Sequence, residues 1–227
     1  MVLYPSPSRI FYVDVGTTTV IVTVTSSGAA VKEWLSTTRF IHHRRRHRLV
    51  VGVGVQRTVE ETYRSYPPAD TLQLCVGRRC LIFQLAHADF IPAVLRKFLL
   101  NPSNTFVGFW NQQDAKRLRI CRHSLQMWRT PLDVRMMVAE EEGPGSELWK
   151  AKREIIIRQW LGFEDVTFSD EIGRSNWGRE VLSYDQIVQS CRDAFCAFLI
   201  GRNLRAWDLP RSVSESEKKF TVILNLF

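Results

Sequence analysis

Several features that would assign a chain to a membrane or to the secretory pathway are missing from this 227-residue sequence. No apolar run reaches the roughly 20 residues that a membrane-spanning helix requires, and the N-terminus is not the basic-then-apolar start of a secretory signal. The five cysteines are odd in number and include no pair at zinc-ligand spacing. We therefore expect an intracellular protein, cytoplasmic or nuclear, with reduced thiols and no membrane partner.

Acidic residues are outnumbered, because 31 Lys and Arg stand against 23 Asp and Glu and give a net charge of +8. A basic surface attracts polyanions, chiefly nucleic acid. The densest basic cluster lies at 42–48 and is followed by one further arginine; its candidate nucleic-acid-binding residues are Arg44, Arg45, Arg46, Arg48 and Arg57. One interpretation is a phosphate-contacting patch that binds single-stranded nucleic acid, and the other is a solvated connector before a buried strand.

Alternating apolar residues around short glycine turns predict two β-hairpins, at 10–25 and at 71–85. The valine-rich run Leu49–Arg57 between them predicts a buried strand, and another strand is expected at 105–110. Helical spacing predicts helices at 88–100, 111–121, 133–142, 146–160 and 184–207, as well as a helix that Ser26 or Ser27 caps. We expect one domain over residues 1–209, with the hairpin at 10–25 leading into it. A C-terminal tail at 210–227, β-prone at its end, follows.

The segment VDVGTTTV, at 13–20, resembles the first phosphate loop of actin-like and sugar kinases. Those kinases need two such lobes and a second Asp-x-Gly loop, and this chain has neither the length nor the loop. We favour the alternative, in which these residues form the turn of a β-hairpin, because a match over eight residues has little specificity.

Longer motifs agree with a different family in their content and their order. The segments HRLVVGVGVQ (47–56) and TLQLCVGRRCLIFQL (71–85) resemble the start of a plant Werner-type 3′→5′ exonuclease domain, of the DnaQ-like superfamily. The later segments FVGFWNQQDAKRL (106–118), DVR (133–135) and QIVQSCRDAFCAFLIGRNL (186–204) are similar to its further motifs, so that the resemblance spans about residues 18–207. It implies an α/β fold, with the ribonuclease-H-like mixed sheet flanked by helices.

The resemblance also implies where the catalytic residues would stand, and most of these positions are changed. The family carries Asp-x-Glu on its first core strand, where this chain has Gly54 and Gln56. The tyrosine of its third motif corresponds to Gln189. Only Asp114 and Asp193 remain at carboxylate positions of the family. Because two-metal hydrolysis needs anionic oxygen ligands for both ions, these two residues are expected to hold one metal weakly, if they hold one at all.

We therefore expect a 3′→5′ exonuclease-like protein that has lost catalysis and acts as a binding, assembly or regulatory module, with no cofactor. The alternative is a weak exonuclease on single-stranded RNA or DNA that uses Asp114, Asp193 and Mg²⁺ or Mn²⁺. If the two carboxylates are not ligands, they are expected to pair with arginines such as Arg117 and Arg192. Expected partners are further copies of the chain, in a homo-oligomer such as a ring, or active relatives.

Overall fold

The protein is organised around seven β-strands, seen in a computed structural model that describes residues 8–59 and 67–209. The strands are β1 (Arg9–Val15), β2 (Thr18–Thr25), β3 (Leu49–Gln56), β4 (Thr71–Val76), β5 (Arg79–Gln84), β6 (Asn104–Gly108) and β7 (Leu132–Asp133). They form one mixed sheet in the order β1-β2-β5-β4-β3-β6-β7. β3 therefore lies near the middle of the sheet, between antiparallel β4 and parallel β6.

Helices accompany the sheet, and short 3₁₀ turns lie in several of the connections. The helices are α1 (Gly28–Ile41), α2 (Ala93–Leu99), α3 (Asp114–Ile120), α4 (Val134–Glu142), α5 (Arg153–Leu161), α6 (Asp170–Gly173) and α7 (Tyr184–Asn203). The predicted mixed α/β sheet with flanking helices is thereby confirmed. The predicted tail at 210–227 lies outside the described residues.

Both predicted hairpins are present, β1 with β2 and β4 with β5. Each turns through two residues, and the first of them is a glycine with positive φ, +56° at Gly16 and +61° at Gly77. Glycine is favoured there because a side chain would be strained in the left-handed region. The sequence did not predict that β2 and β5 pair in parallel, which joins the two hairpins into one sheet.

Two hydrophobic cores lie on the two faces of the sheet. One contains alternate residues of β1, β2 and β3 together with the apolar face of α7, and the other contains the remaining alternate residues of β3 with α1, α2 and α3. The long helix α7 packs directly on β3 because Gly52 has no side chain: a Cβ there would lie 1.9 Å from the carbonyl oxygen of Ala194. This close approach fixes the height of α7 above the strand.

Helix starts follow local capping chemistry in most cases. Ser27 caps α1 by accepting from the amide of Ala30, and Ser183 and Gln186 form a reciprocal capping box at the start of α7. The helix predicted at 146–160 begins later, at Arg153. The backbone of Ala151 and Lys152 is extended and separates a 3₁₀ turn at 148–150 from α5. Ile155, in the first turn of α5, is exposed.

The five cysteines are free thiols, and all are buried. Cys75 and Cys80 face each other across the second hairpin. Among the described residues, no helix combines the length and the apolar character needed to cross a membrane.

Candidate active site

The two catalytic positions predicted on β3 face α7. Side chains alternate along a strand, so Val50, Gly52, Gly54 and Gln56 share the face that α7 covers. A Cβ at Gly54 would lie 3.5 Å from Oδ2 of Asp193 and 3.0 Å from Oε1 of Gln73. The structure therefore brings Gly54 and Asp193 together as the resemblance implied, and at Gly54 there is no side chain to meet the carboxylate. Gln56 follows two residues later, partly buried at the end of β3.

Asp193 is paired with an arginine that the sequence analysis missed. Its Oδ1 accepts a hydrogen bond from Nη1 of Arg153 at 2.7 Å, which is a charge-assisted bond. Burial raises the pKa of the Asp193 carboxyl, and the charge of Arg153 limits that rise. The partner expected from the sequence, Arg192, instead directs its guanidinium at the carbonyl of Thr167. A guanidinium thus neutralises this carboxylate.

Asp114 is the first residue of α3 and is buried close to Asp193. Burial, and then the charge of Asp193, raise the pKa of Asp114 well above its usual range, while Arg117 and Arg57 act in the opposite direction. A carboxyl with a raised pKa keeps its proton to a higher pH than an ordinary aspartate does.

Gln189, which stands where the family has a tyrosine, has a structural role. Its Oε1 accepts from the amide of Ser169 at 2.8 Å, and its Nε2 donates to the carbonyl of the same residue at 3.1 Å. The hydroxyl of Ser169 in turn caps α6. Both polar atoms of this amide are therefore engaged in holding the segment before α6, and neither can transfer a proton at neutral pH.

An aromatic and cationic wall lies beside the two aspartates. The guanidinium carbon of Arg153 lies 4.4 Å from the ring centre of Phe168 and 5.7 Å from that of Trp110. Arg135, held by Asp133, packs on the same Trp110 ring at 4.2 Å. Trp110 has a left-handed backbone, with φ of +46°, and its ring is partly exposed. Nothing in the sequence pattern distinguished Arg153 or Phe168, because their role depends on where α5 packs.

The basic cluster at 42–48 does not lie beside this site. It precedes β3, whereas Gly54 and Gln56 are toward the other end of that strand. Gly54 is six positions along the chain from Arg48, which is roughly 20 Å in a strand. The ring of His42, at the start of the cluster, lies near the β4–β5 turn, 3.4 Å from a Cβ placed on Gly77. Arg57, which follows β3, does lie at the site, where its charge acts on Asp114. A phosphate-contacting patch in the cluster would therefore be separate from the two aspartates.

The residues at the site do not fit a pair of divalent metal ions. Within the part of the chain that the structure describes, no three His, Cys, Asp or Glu side chains come together as a ligand set. Oε1 of Gln73 is buried, has no hydrogen-bond partner and points toward the Gly54 position, so it is one neutral oxygen ligand. The site therefore offers two carboxylates and one amide oxygen, and one of the carboxylates is paired with Arg153. This set supplies too little negative charge for two divalent ions. Glu60 and Glu61, considered as substitutes, lie outside the described residues.

Three solved structures share this fold. Escherichia coli RNase D is 16% identical over 81% of this chain and 44% of its own, with a TM-score of 0.62. The Nibbler EXO domain of Aedes aegypti is 15% identical over 81% of this chain and 87% of its own, with a TM-score of 0.63. Trypanosoma brucei RNase D is 10% identical over 81% of this chain and 64% of its own, with a TM-score of 0.61. The chain thus spans less than half of E. coli RNase D. No protein-family model and no curated protein sequence matches it.

Proposed function

We propose that this chain is an exonuclease-like protein that binds single-stranded nucleic acid without hydrolysing it. One observation carries the proposal: the Gly54 position faces Asp193 without offering a ligand, and Asp193 is already paired with Arg153 at 2.7 Å. In the two-metal reaction, one ion generates the attacking hydroxide and the other stabilises the leaving oxygen. An arginine offsets the charge of a carboxylate but does not produce hydroxide at neutral pH, because it stays protonated.

The same substitutions favour phosphate binding. Because positions 54 and 56 carry no carboxylate, this strand adds no repulsion toward a phosphodiester. Arg153 has five N–H donors in a planar fork that suits phosphate oxygens, and its hydrogen bond to Asp193 uses one of them. Arg57, which is partly buried just after β3, brings a second positive charge to the site. Guanidinium groups here can therefore donate to phosphate oxygens.

The partly exposed ring of Trp110 adds a surface on which a base can stack. Stacking of a base on an aromatic side chain is worth about 1–3 kcal/mol and tolerates any sequence. The chemistry of the site therefore favours a single strand over a duplex, whose bases are already stacked and paired.

Binding and cleavage are measured on the same single-stranded RNA and DNA oligonucleotides. Anisotropy should show binding that weakens steeply with salt, and Arg57→Gln should weaken it and lower the salt slope by about 1. Arg48→Gln is the matched control for the distant cluster and should leave binding at the site unchanged. If trimming from the 3′ end occurs with Mg²⁺ or Mn²⁺ and disappears in Asp114→Ala, hydrolysis is retained and the proposal is wrong.

The second candidate is a weak metal-dependent 3′→5′ exonuclease that uses Asp114 and Asp193. The observation in its favour is that Asp193 raises the pKa of Asp114, which requires the two carboxyls to be close. This candidate predicts Mn²⁺ between the two aspartates in crystals soaked at high metal concentration. It also predicts that Gly54→Asp with Gln56→Glu raises activity by adding the two missing ligands. An empty site in the soaked crystals contradicts it.

Assembly with further copies or with active relatives is proposed as a separate property. The C-terminal run at 220–227, which the sequence suggested as a contact, lies outside the described residues. Light scattering of the full chain and of a truncation after Arg211 tests that segment at low and high salt. An apolar contact should persist at high salt, whereas phosphate binding should not.

A further inference from the structure

The first strand, β1, ends the sheet with hydrogen-bonding groups that face outward. Antiparallel partners alternate between pairs that exchange backbone hydrogen bonds and pairs that do not. Tyr12 lies opposite Ile21, and the amide of Ile21 donates to the carbonyl of Arg78, on the β5 side. Tyr12 and Ile21 are therefore a non-bonded pair. By alternation, Ile10, Tyr12 and Asp14 direct their amides and carbonyls away from β2, toward the free edge.

The same residues also expose apolar side chains. Ile10 and Tyr12 lie on the face of β1 opposite α7 and are 51% and 67% exposed. Natural edge strands are commonly protected by proline, lysine, a bulge or very short length. Within Arg9–Val15 there is no proline or lysine, and the pairing with β2 is continuous over all seven residues. Among the described residues, no other strand pairs with this edge.

We propose that β1 pairs antiparallel with β1 of a second copy of this chain, with Phe11 of each copy on the twofold axis. In this register Ile10 lies opposite Tyr12 of the second copy, and these outward-facing residues exchange backbone hydrogen bonds. A β-branched residue opposite an aromatic is a favourable cross-strand pair. Two sheets of seven strands thereby become one continuous sheet.

Two observations favour a second copy as the occupant. The strand is self-complementary, because it matches its own apolar pair, and it carries one positive and one negative residue, Arg9 and Asp14, so that it has no net charge to oppose self-association. The other edge of the sheet is closed to pairing of this kind. There β7 has two residues, Leu132 and Asp133, and runs straight into α4. Pairing through one edge gives a closed dimer, whereas two open edges would give a filament.

Cysteine cross-linking tests the proposed register. In Phe11→Cys the two new thiols meet at a non-bonded pair of the new ladder, where Cα atoms are about 4.5 Å apart, within disulfide range. Under a mild disulfide oxidant we expect a covalent dimer on a non-reducing gel. Ile10→Cys is the matched control, since it lies opposite Tyr12 and not opposite itself. The five native thiols are buried and give little background. A cross-link in Tyr12→Cys and none in Phe11→Cys would overturn this register.

Light scattering of the full chain without nucleic acid tests the dimer itself. We expect twice the chain mass at raised protein concentration, and one chain mass for Tyr12→Pro, which removes an outward amide and leaves the bonds to β2 intact. Ile120→Lys changes an exposed apolar residue elsewhere and should keep the dimer. Circular dichroism confirms that each variant is folded. A monomer at every concentration, or a Tyr12→Pro variant that is folded and still dimeric, overturns the proposal, and neither result bears on nucleic-acid binding.

Discussion

The ion pair between Arg153 and Asp193 should contribute measurably to stability, although the pair stands where the family implies metal chemistry. Removing one partner of a buried pair leaves an uncompensated charge and costs about 3–5 kcal/mol. The Arg153 side chain is 27% exposed and that of Asp193 is 9% exposed, so water reaches one partner only. We therefore expect Arg153→Ala to lower the free energy of unfolding by about 3 kcal/mol, the lower end of that range. For a chain of this size the melting temperature should fall by about 6–12 °C.

A double-mutant cycle with Asp193→Asn isolates the pair. Asp193→Asn leaves Arg153 able to turn toward solvent, and we expect it to cost about 1–2 kcal/mol. The double variant should lose less than the two single variants together, with a coupling of about 2 kcal/mol. Chemical denaturation measures all four proteins. The matched control is Arg158→Ala on the same helix, whose pair with Glu164 is exposed on both sides and should be worth less than about 1 kcal/mol.

The pH dependence of the stability loss in Arg153→Ala shows whether that loss comes from the unpaired charge of Asp193. Without the guanidinium, burial and the charge of Glu154 act unopposed on the Asp193 carboxyl and raise its pKa further. A carboxyl whose pKa is raised in the folded state destabilises that state increasingly as pH rises above its unfolded pKa of about 3.9. The loss in Arg153→Ala should therefore shrink as the pH is lowered toward that value. A loss that is equal at all pH values, or one below about 0.5 kcal/mol at pH 7, would refute the reasoning.

Three further predictions use the same assays. Gly52→Ala should destabilise by about 3 kcal/mol or abolish folding, because its Cβ would meet the backbone of Ala194 at 1.9 Å. Gly54→Ala should cost little, because its Cβ would lie 3.0 Å from the end of the flexible Gln73 side chain and at an ordinary 3.5 Å from Oδ2 of Asp193; equal losses would contradict this contrast. Asp114→Asn should stabilise the protein at neutral pH, because the wild-type carboxyl has a raised pKa and its ionisation destabilises the folded state. The stability of the variant should also fall less steeply as the pH rises, and a variant less stable than the wild type would contradict this prediction. Ser183→Ala should cost about 1 kcal/mol by removing the cap of α7, and an unchanged midpoint of denaturation would contradict that role.

Local patterns predicted most of the elements because short-range chemistry sets them. Period-two alternation and the glycines at 16 and 77 determined both hairpins, and a serine at 27 determined the start of α1. The parallel pairing of β2 with β5 was not predictable, since it joins segments more than 50 residues apart and leaves no periodic signal. The late start of α5 was missed because nothing in its composition marks the extended residues before it.

The candidate site likewise has a part that the sequence indicated and a part that only the structure reveals. Motif order indicated that Gly54, Asp114 and Asp193 belong together, and the structure places Gly54 and Asp114 near Asp193. The basic cluster at 42–48 adjoins β3 in sequence but precedes the end of the strand that lacks the site, so closeness in sequence does not bring it to the aspartates. Arg153 lies 40 residues before Asp193, and only tertiary packing brings them together.

The two hydrogen bonds between Gln189 and Ser169 bear on any attempt to place the catalytic residues of the resembled family on this scaffold. A tyrosine at position 189 would have no amide to replace them, so the change would also release the segment leading into α6. An acid at position 54 would lie beside Asp193 and would compete with it for Arg153. Each of these substitutions therefore disturbs contacts that hold the fold, and the changes are best introduced together.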